Sequence, residues 1–316
     1  MNDWRPVALP GVQRQRAALL SDLRRYFAER NVLEVDTPLL CSSGVTDPAL
    51  ENFVVPCRDG SRFLQTSPEY AMKRLLAAGS GDIYQICKAF RAEEVGARHN
   101  PEYTLLEWYR SGIDHYRLLH EVGELVCDLL DRPGWQVWPW DTLVQHVLGA
   151  EVNSASRKAL EKVARQWLGE IPEGLDRDGL LDLLVSHCVE PAIADWGVVF
   201  IVDYPISQAA LARRMESPEG EAVGARFECY VDGMELANGY WECGDVEELT
   251  ARFTADNERR KQQGQEQRPI DHHLLAALDS GLPDCSGVAM GVDRLLALRA
   301  GVASLDAVLG FDWVRS

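Results

Sequence analysis

The stretch RFECYVDGMELANGYWE, residues 226–242, most restricts what this chain can fold into. Asp232-Gly233 is a two-residue hairpin signal between two β-prone runs. That register pairs Val231 with Met234, Tyr230 with Glu235, Cys229 with Leu236 and Glu228 with Ala237. Alternation then puts Phe227, Cys229, Val231, Met234 and Leu236 on one apolar face, and Glu228, Tyr230, Glu235 and Ala237 on the other. Such a ribbon demands a sheet with one side against a core. Glu242 is out of phase with Glu235, and a bulge at Asn238-Gly239 would bring all three glutamates to one surface. Crowded carboxylates repel unless cations sit among them. The cation is a divalent metal, which goes with phosphates, or an ammonium, which Asn238 and Glu242 would suit. A solvated acidic face is the third reading.

Composition narrows the class. With 316 residues and 46% apolar content, the chain is globular, with one large core or two modest ones. No apolar run approaches the roughly 18 residues of a spanning helix. The first residues, MNDWRPVALPG, lack the pattern of a signal peptide, so the expected location is cytoplasmic and no membrane partner is expected. The eight cysteines are scattered with no CxxC pair, which argues against a disulfide framework or a structural zinc site. Lys plus Arg total 32 against 49 for Asp plus Glu, a net charge of −17. That field repels polyphosphate chains, while a small phosphorylated substrate stays compatible.

Along the chain, residues 12–30 show the spacing of an amphipathic helix. NVLEVDTPLL reads as a short strand closed by Pro38. SRFLQTSPEYAMKRLLAAGSGDIYQICKAFRAEE reads as strand, loop, helix and strand, with Ser67 as N-cap and Pro68 in the first turn. Residues 114–131 and 154–190 are helical, VVFIVDYP is a buried strand, and SGVAMGVDRLLALRAG is strand, tight turn and helix. With no repeats, no low-complexity linker and no clear boundary, the expectation is a single α+β domain over 1–316, built on antiparallel pairing.

Two further segments carry chemistry. AFRAEEVGARHNPEYTLLEWYR, residues 89–110, holds Arg91 and Glu93 at one strand parity, then Arg98, His99, Asn100, Tyr103, Glu107 and Tyr109. Arginine is a forked donor for phosphate, and Tyr103 could cover a nucleobase or pack in the core. In SGVAMGVDRLLAL, Gly287 and Gly291 permit close backbone approach, and Arg294 stands at a helix start. An Asp293-Arg294 surface ion pair is the plainer reading there. Neither a Walker motif nor GxGxxG is present, so P-loop and Rossmann assignments fail.

Together these segments resemble the class II aminoacyl-tRNA synthetase catalytic core in its lysyl branch, over roughly 12–311. RRYFAERNVLEVDTPLL looks like the first motif, FRAEEVGARHNPEYTLLEWY the second and GVAMGVDRLLAL the third, while FECYVDGMELANGYWE resembles the strands that hold lysine and magnesium. Two departures stand out. Only about a dozen residues precede the first motif, so the oligonucleotide-binding domain of lysyl-tRNA synthetases is not expected ahead of it, and with the net charge of −17 no tRNA partner is expected. YPISQAALA replaces the synthetases' Ser-Pro version, and Ala289 stands where they have glycine. Both are similar to truncated paralogues that modify translation elongation factor P with β-lysine.

The resemblance implies an antiparallel sheet flanked by helices, a homodimer, ATP and Mg2+ as cofactors, and aminoacyl transfer through an adenylate to elongation factor P. It implies that Arg91 holds the α-phosphate, Glu93 reads the adenine amine, and Tyr103 and Arg294 sandwich the base. Arg98 and His99 would reach the outer phosphates, with Asn100 near the α-phosphate. Glu228 and Glu235 would hold magnesium, with Arg91, Arg294 and Glu235 as the catalytic set. Glu107, Tyr109, Asn238 and Glu242 would surround one substrate amine, and Ser67 and Glu69 would lie near the other. Ala289 would add a methyl to the pocket for lysine or β-lysine.

Overall fold

The computed structural model describes residues 4–316, apart from Glu93 and Glu219. The chain forms two compact units, Met1–Ile113 with Gly244–Ser316, and Asp114–Cys243. The first unit opens with helix α1 (Pro10–Ala28), strands β1 (Leu33–Glu34), β2 (Leu40–Cys41), β3 (Val54–Cys57) and β4 (Gly60–Leu64), helix α2 (Glu69–Ala77), and strands β5 (Ile83–Phe90) and β6 (Glu102–Ser111). Leu19, Leu23 and Phe27 recur every four residues and form the buried stripe of α1. Phe27 stacks on Tyr84 at 4.3 Å and meets the edge of Trp108 at 5.4 Å. β1 runs parallel to β5, which pairs antiparallel with β6, and β2, β4 and β3 make a small second sheet.

The second unit contains helix α3 (His115–Leu130), strand β7 (Trp135–Pro139), helices α4 (Trp140–Leu148), α5 (Arg157–Leu168), α6 (Arg177–Leu184) and α7 (Glu190–Ala192), and strands β8 (Val198–Pro205), β9 (Arg214–Glu216), β10 (Ala222–Val231) and β11 (Met234–Trp241). All eight residues of β8 are buried, as its apolar run Val198–Val202 requires, and the one acid in the strand, Asp203, accepts from the Tyr116 hydroxyl at 2.8 Å. β8 lies between β7, to which it is parallel, and β10, to which it is antiparallel. Helices α4 to α6 cover Val199, Ile201, Tyr204 and Tyr230. β7 and α4 follow from no signal weighed above.

The hairpin corrects one expectation. Val231 faces Met234 and Tyr230 faces Glu235, but Cys229 then faces Ala237 and Glu228 faces Asn238. Leu236 is therefore the extra residue, and the bulge falls there rather than at Asn238-Gly239. The parity change is the one expected, from a different residue: Arg226, Glu228, Tyr230, Glu235, Asn238 and Tyr240 share one face. Leu236 is apolar and 2% exposed, so burial of its side chain outweighs the conformational ease of glycine three residues on.

The chain re-enters the first unit with α8 (Val246–Gln262), α9 (His272–Asp279), β12 (Cys285–Gly291) and α10 (Val292–Ala300). α10 begins at the residue after β12, with no turn between them. β12 pairs antiparallel with β6. Asp293 does not pair with Arg294. Its carboxylate is 2% exposed, accepts from the Thr104 amide at 2.6 Å, and is ion-paired with Arg16. A single buried acid thus ties α1, β6 and α10 together.

The long loop between β2 and β3 is held from α8 and α9. Ser43 donates to Asp271 at 2.8 Å and Thr46 to Asp256 at 3.0 Å. Arg260, fully buried, donates to the carbonyls of Asp47 and Leu50 at 3.1 Å each and to Glu51 at 2.5 Å. Arg268 pairs with the other oxygen of Glu51. The Glu51 carbonyl in turn accepts from the Ala92 amide at 2.9 Å, next to Arg91. Replacing Arg260 by Ala strips the loop of this buried donor, and we expect a loss of about 3–5 kcal/mol in denaturant unfolding with new proteolysis within 47–51. A loss under about 1 kcal/mol would show that the loop holds without it.

Candidate active site

In the first unit, three strands present one polar row. Gln85, Glu107 and Ala289 are cross-strand partners on β5, β6 and β12. One step along, Tyr109 lies between Ile83 and Gly287, and one step the other way Leu105 lies between Cys87 and Gly291. On this face β12 contributes only Gly287, Ala289 and Gly291, which carry at most a methyl, with the Arg294 side chain lying beside Gly291. Glu107 is 2% exposed and accepts from Ser67 at 2.7 Å and from Tyr109 at 2.7 Å. Ser67 Oγ also accepts from the Glu69 amide at 3.0 Å, so it orders the start of α2, although the residue in the N-cap position is Pro68. Glu69 Oε1 accepts from Lys73 Nζ at 2.6 Å. Five of the residues assigned to the amino acid, Ser67, Glu69, Glu107, Tyr109 and Ala289, therefore come together.

The nucleotide set is built just past the end of β5. Arg91 stands 5.4 Å from the Tyr103 ring centroid and donates to Glu94 at 3.1 Å. The Tyr103 hydroxyl donates to the Thr66 carbonyl at 2.7 Å, which fixes the ring plane. Burial pushes this phenol up to about 12, so it stays a neutral donor. Gly96 and His99 close a tight turn, and Arg294 from α10 reaches it, its Nη2 3.0 Å from His99 Nε2 and its Nε 3.4 Å from the Arg98 carbonyl. Burial first, and the Arg294 cation second, hold the His99 imidazole below its ordinary value. Glu94 also lies 3.8 Å from His99. Arg91 and Arg294 thus supply the cations of a cluster that also holds the His99 imidazole and the Glu94 carboxylate, an arrangement suited to phosphate oxygens. Asn100 does not join it. Its side chain donates to the Glu102 carbonyl at 2.6 Å and accepts from the Trp313 amide at 3.0 Å, in a cavity of about 700 Å³ lined also by Arg16, Lys88 and Phe311. Glu93 lies outside the described residues.

In the second unit, Glu228 is 7% exposed. Its Oε2 accepts from Tyr204 at 2.7 Å and Tyr230 at 2.6 Å, and its Oε1 from Asn238 at 3.4 Å and from Arg226. Arg226 also donates to Asn238 Oδ1 at 3.3 Å and to the Gln208 carbonyl at 2.6 Å, and lies 4.4 Å from the Tyr204 ring centroid. Burial pulls this guanidinium down, but Glu228, Tyr240 and Tyr204 more than offset it and hold it charged. Burial, then Glu228, pushes both tyrosines well above the usual phenol range. A cation at Glu228 is therefore an arginine of the same ribbon. A carboxylate has about four acceptor positions, and all four on Glu228 are taken. With Glu228 engaged, it and Glu235 do not present a ready pair for magnesium, and among the described residues no group of three metal-ligating side chains converges. Glu242 is 2% exposed, and the Arg213 Nε donates to its carbonyl at 3.3 Å.

Comparison with known proteins gives the family. Residues 11–314 match the family described as tRNA synthetases class II (D, K and N). The chain belongs to that class II synthetase family, in the branch whose curated members are called elongation factor P–(R)-β-lysine ligase. A member from Mannheimia succiniciproducens is 45% identical over 314 residues, 98% of this chain and 97% of the relative. One from Vibrio cholerae is 45% identical over 323 residues, 100% and 99% of the two chains, and one from Pasteurella multocida is 44% identical over 315 residues, 98% and 97%.

Four residues escaped the sequence reading. Arg226 was legible by parity, two residues before Glu228. Lys73 and Gln85 show no motif, and Glu94 sits among other acids. Gln85 is 1% exposed, accepts from Thr37 at 2.9 Å, and its Nε2 has no partner among the described residues. The eight cysteines are all free, and Cys229, Cys243 and Cys285 are buried. Burial pushes the Cys87 thiol up to about 12, with Glu107 adding to it.

The depressed His99 value has a definite sign. Folded His99 binds its proton less readily than the unfolded chain does. Its contribution to stability is complete above the ordinary value of 6.5 and is lost as pH falls through the lowered one. Replacing Arg294 by Ala removes a neighbouring cation, so the imidazole followed by NMR should titrate at higher pH than in the unaltered protein. An unchanged or lower titration point would show that Arg294 does not act on this ring.

Proposed function

We propose that the protein uses ATP to activate (R)-β-lysine as an adenylate and passes the acyl group to the ε-amine of one lysine of elongation factor P. The observation that carries this reading is the end-to-end match, at 45% identity over 97% of the relative in one case, to ligases bearing that name. The substrate's carboxylate attacks the α-phosphorus of ATP and pyrophosphate leaves. The lysine amine then attacks the acyl carbon, AMP leaves and the amine's proton is released. The first step needs no strong base, since the nucleophile is already an anion, so positioning and charge stabilisation dominate.

Arg91 is assigned to the α-phosphate, Tyr103 and Arg294 to the two faces of adenine, Glu93 to its amine, and Arg98 and His99 to the outer phosphates. Glu107 and Tyr109 are assigned to the distal amine of the substrate and Glu69 to the amine nearer its carboxyl group, with Ala289 beneath. Asn238 and Glu242 of the second unit are assigned to an amine on the same resemblance. Magnesium is proposed to accompany ATP with Glu235 as its carboxylate; Glu228 is already engaged, and no step above runs through the ion.

The net charge of −17 favours a protein acceptor over tRNA. Among the described residues no helix is long and apolar enough to cross a membrane, and we place the enzyme in the cytoplasm. A homodimer is proposed through the first unit, where Leu33 is 55%, Leu39 38% and Leu40 42% exposed. Leu33→Asp with Leu40→Asp should shift sedimentation at micromolar concentration from dimer to monomer. A monomeric unaltered protein would remove the proposal.

ATP–pyrophosphate exchange with (R)-β-lysine and with L-lysine, followed by incubation with elongation factor P, tests the activity. We expect exchange with β-lysine, label on the protein, and a fall of about 100- to 1,000-fold in kcat for Arg91→Ala. Label on tRNA instead, or no exchange with either amino acid, would overturn the reading.

A further inference from the structure

Lys73 is fully buried, on the same side of α2 as Met72 and Leu76, yet it carries an ammonium. Burying a charge is costly, and an apolar residue of similar volume in such a place is commonly neutral or stabilising. An exposed i,i+4 pair on a helix contributes little, too little to account for a buried one. What the ammonium does is visible in the contacts. It donates to Glu69 Oε1 at 2.6 Å, while the Glu69 side chain is 18% exposed. One carboxylate oxygen is thereby engaged from inside the protein, and the direction of the carboxylate is fixed.

The same residue is tied to a second carboxylate. The Glu69 amide donates to Ser67 Oγ at 3.0 Å, and Ser67 donates to Glu107 Oε2 at 2.7 Å. Tyr109 engages Glu107 Oε1 at 2.7 Å. A continuous chain, Lys73–Glu69–Ser67–Glu107–Tyr109, therefore fixes two acids relative to each other, all within one compact unit. A diamino acid offers two ammonium groups to such a pair. In L-lysine the two amine-bearing carbons are the ends of a five-carbon run; in β-lysine the run is one carbon shorter.

We propose that Lys73 is a positioning residue that, by holding Glu69 at a set separation from Glu107, makes the pair of carboxylates a gauge for the spacing of the substrate's two amines. The proposal rests on the assignment of Glu69 and Glu107 to those amines. Lys73 touches no reacting atom. It acts through Glu69, and its removal lets that carboxylate turn toward the position an α-amine would occupy.

The test is the ratio of kcat/KM for (R)-β-lysine to that for L-lysine in ATP–pyrophosphate exchange, with the KM for ATP followed in parallel. In Lys73→Met the ratio should fall about tenfold, through a raised KM for β-lysine, while the KM for ATP stays unchanged. Lys73→Arg should restore most of the ratio. Lys73→Gln keeps one hydrogen bond on Glu69, should give an intermediate ratio, and decides the matter if the Met variant does not fold. Loss of activity on both substrates in equal proportion would mean a merely structural lysine and would overturn the proposal. Glu69→Gln separates the two levels: if it leaves the KM for both amino acids unchanged, the assignment of Glu69 to an amine is what fails. If it raises that KM while the Lys73 variants keep the ratio, the gauge alone fails.

Discussion

The Asp293 carboxylate is the interaction on which the first unit depends. It sits at the start of α10, inside the core, and engages the Thr104 amide and Arg16. One acid thereby fixes the first helix, the strand that carries Tyr103, Glu107 and Tyr109, and the helix that carries Arg294. A buried carboxylate is tolerable only when its charge and lone pairs are met, so each partner needs the other two in place. The cluster of Arg91, Arg294, His99 and Glu94 is then an outcome of this junction. Arg294, one residue on and about 100° round the same helix, reaches His99 while Asp293 enters the core.

Much of this was legible in the amino acids, and the exceptions are instructive. The hairpin at Asp232-Gly233, the buried strand Val198–Pro205 and the helices at both ends follow from local patterns, since turn chemistry and apolar spacing are local quantities. The position of the bulge was not legible, because it depends on which residue finds burial, and Leu236 found it. Nor was the partner of Asp293, since Arg16 is distant in sequence and only the assembled core brings it near. Ser67 was read as a helix cap and does accept from the Glu69 amide; its donation to Glu107 belongs to tertiary structure.

The question of what neutralises the acidic ribbon shows the same division. Repulsion among carboxylates calls for cations, and at Glu228 one of them is Arg226, within the ribbon itself. The guanidinium is shared by Glu228, Asn238 and the Gln208 carbonyl. Its fork satisfies several acceptors at once, which a compact ammonium does less well. With the two tyrosines on the other oxygen, Glu228 becomes part of the ribbon's framework.

The single extra residue at Leu236 carries a consequence for how this gene can vary. Because side chains on a strand alternate sides and Leu236 opposes no residue of the partner strand, removing that position would leave Asn238 opposite Glu228 and Tyr240 opposite Arg226 on the face they already occupy, whereas removing a residue further along, such as Gly239, would turn Tyr240 and everything after it on the strand to the reverse side of the sheet in one stroke. Descendants of this sequence could thus shed this one codon and keep the ribbon's surface, while a one-codon loss beyond it inverts that surface, and lineages that retain the activity should keep the length after Asn238 invariant.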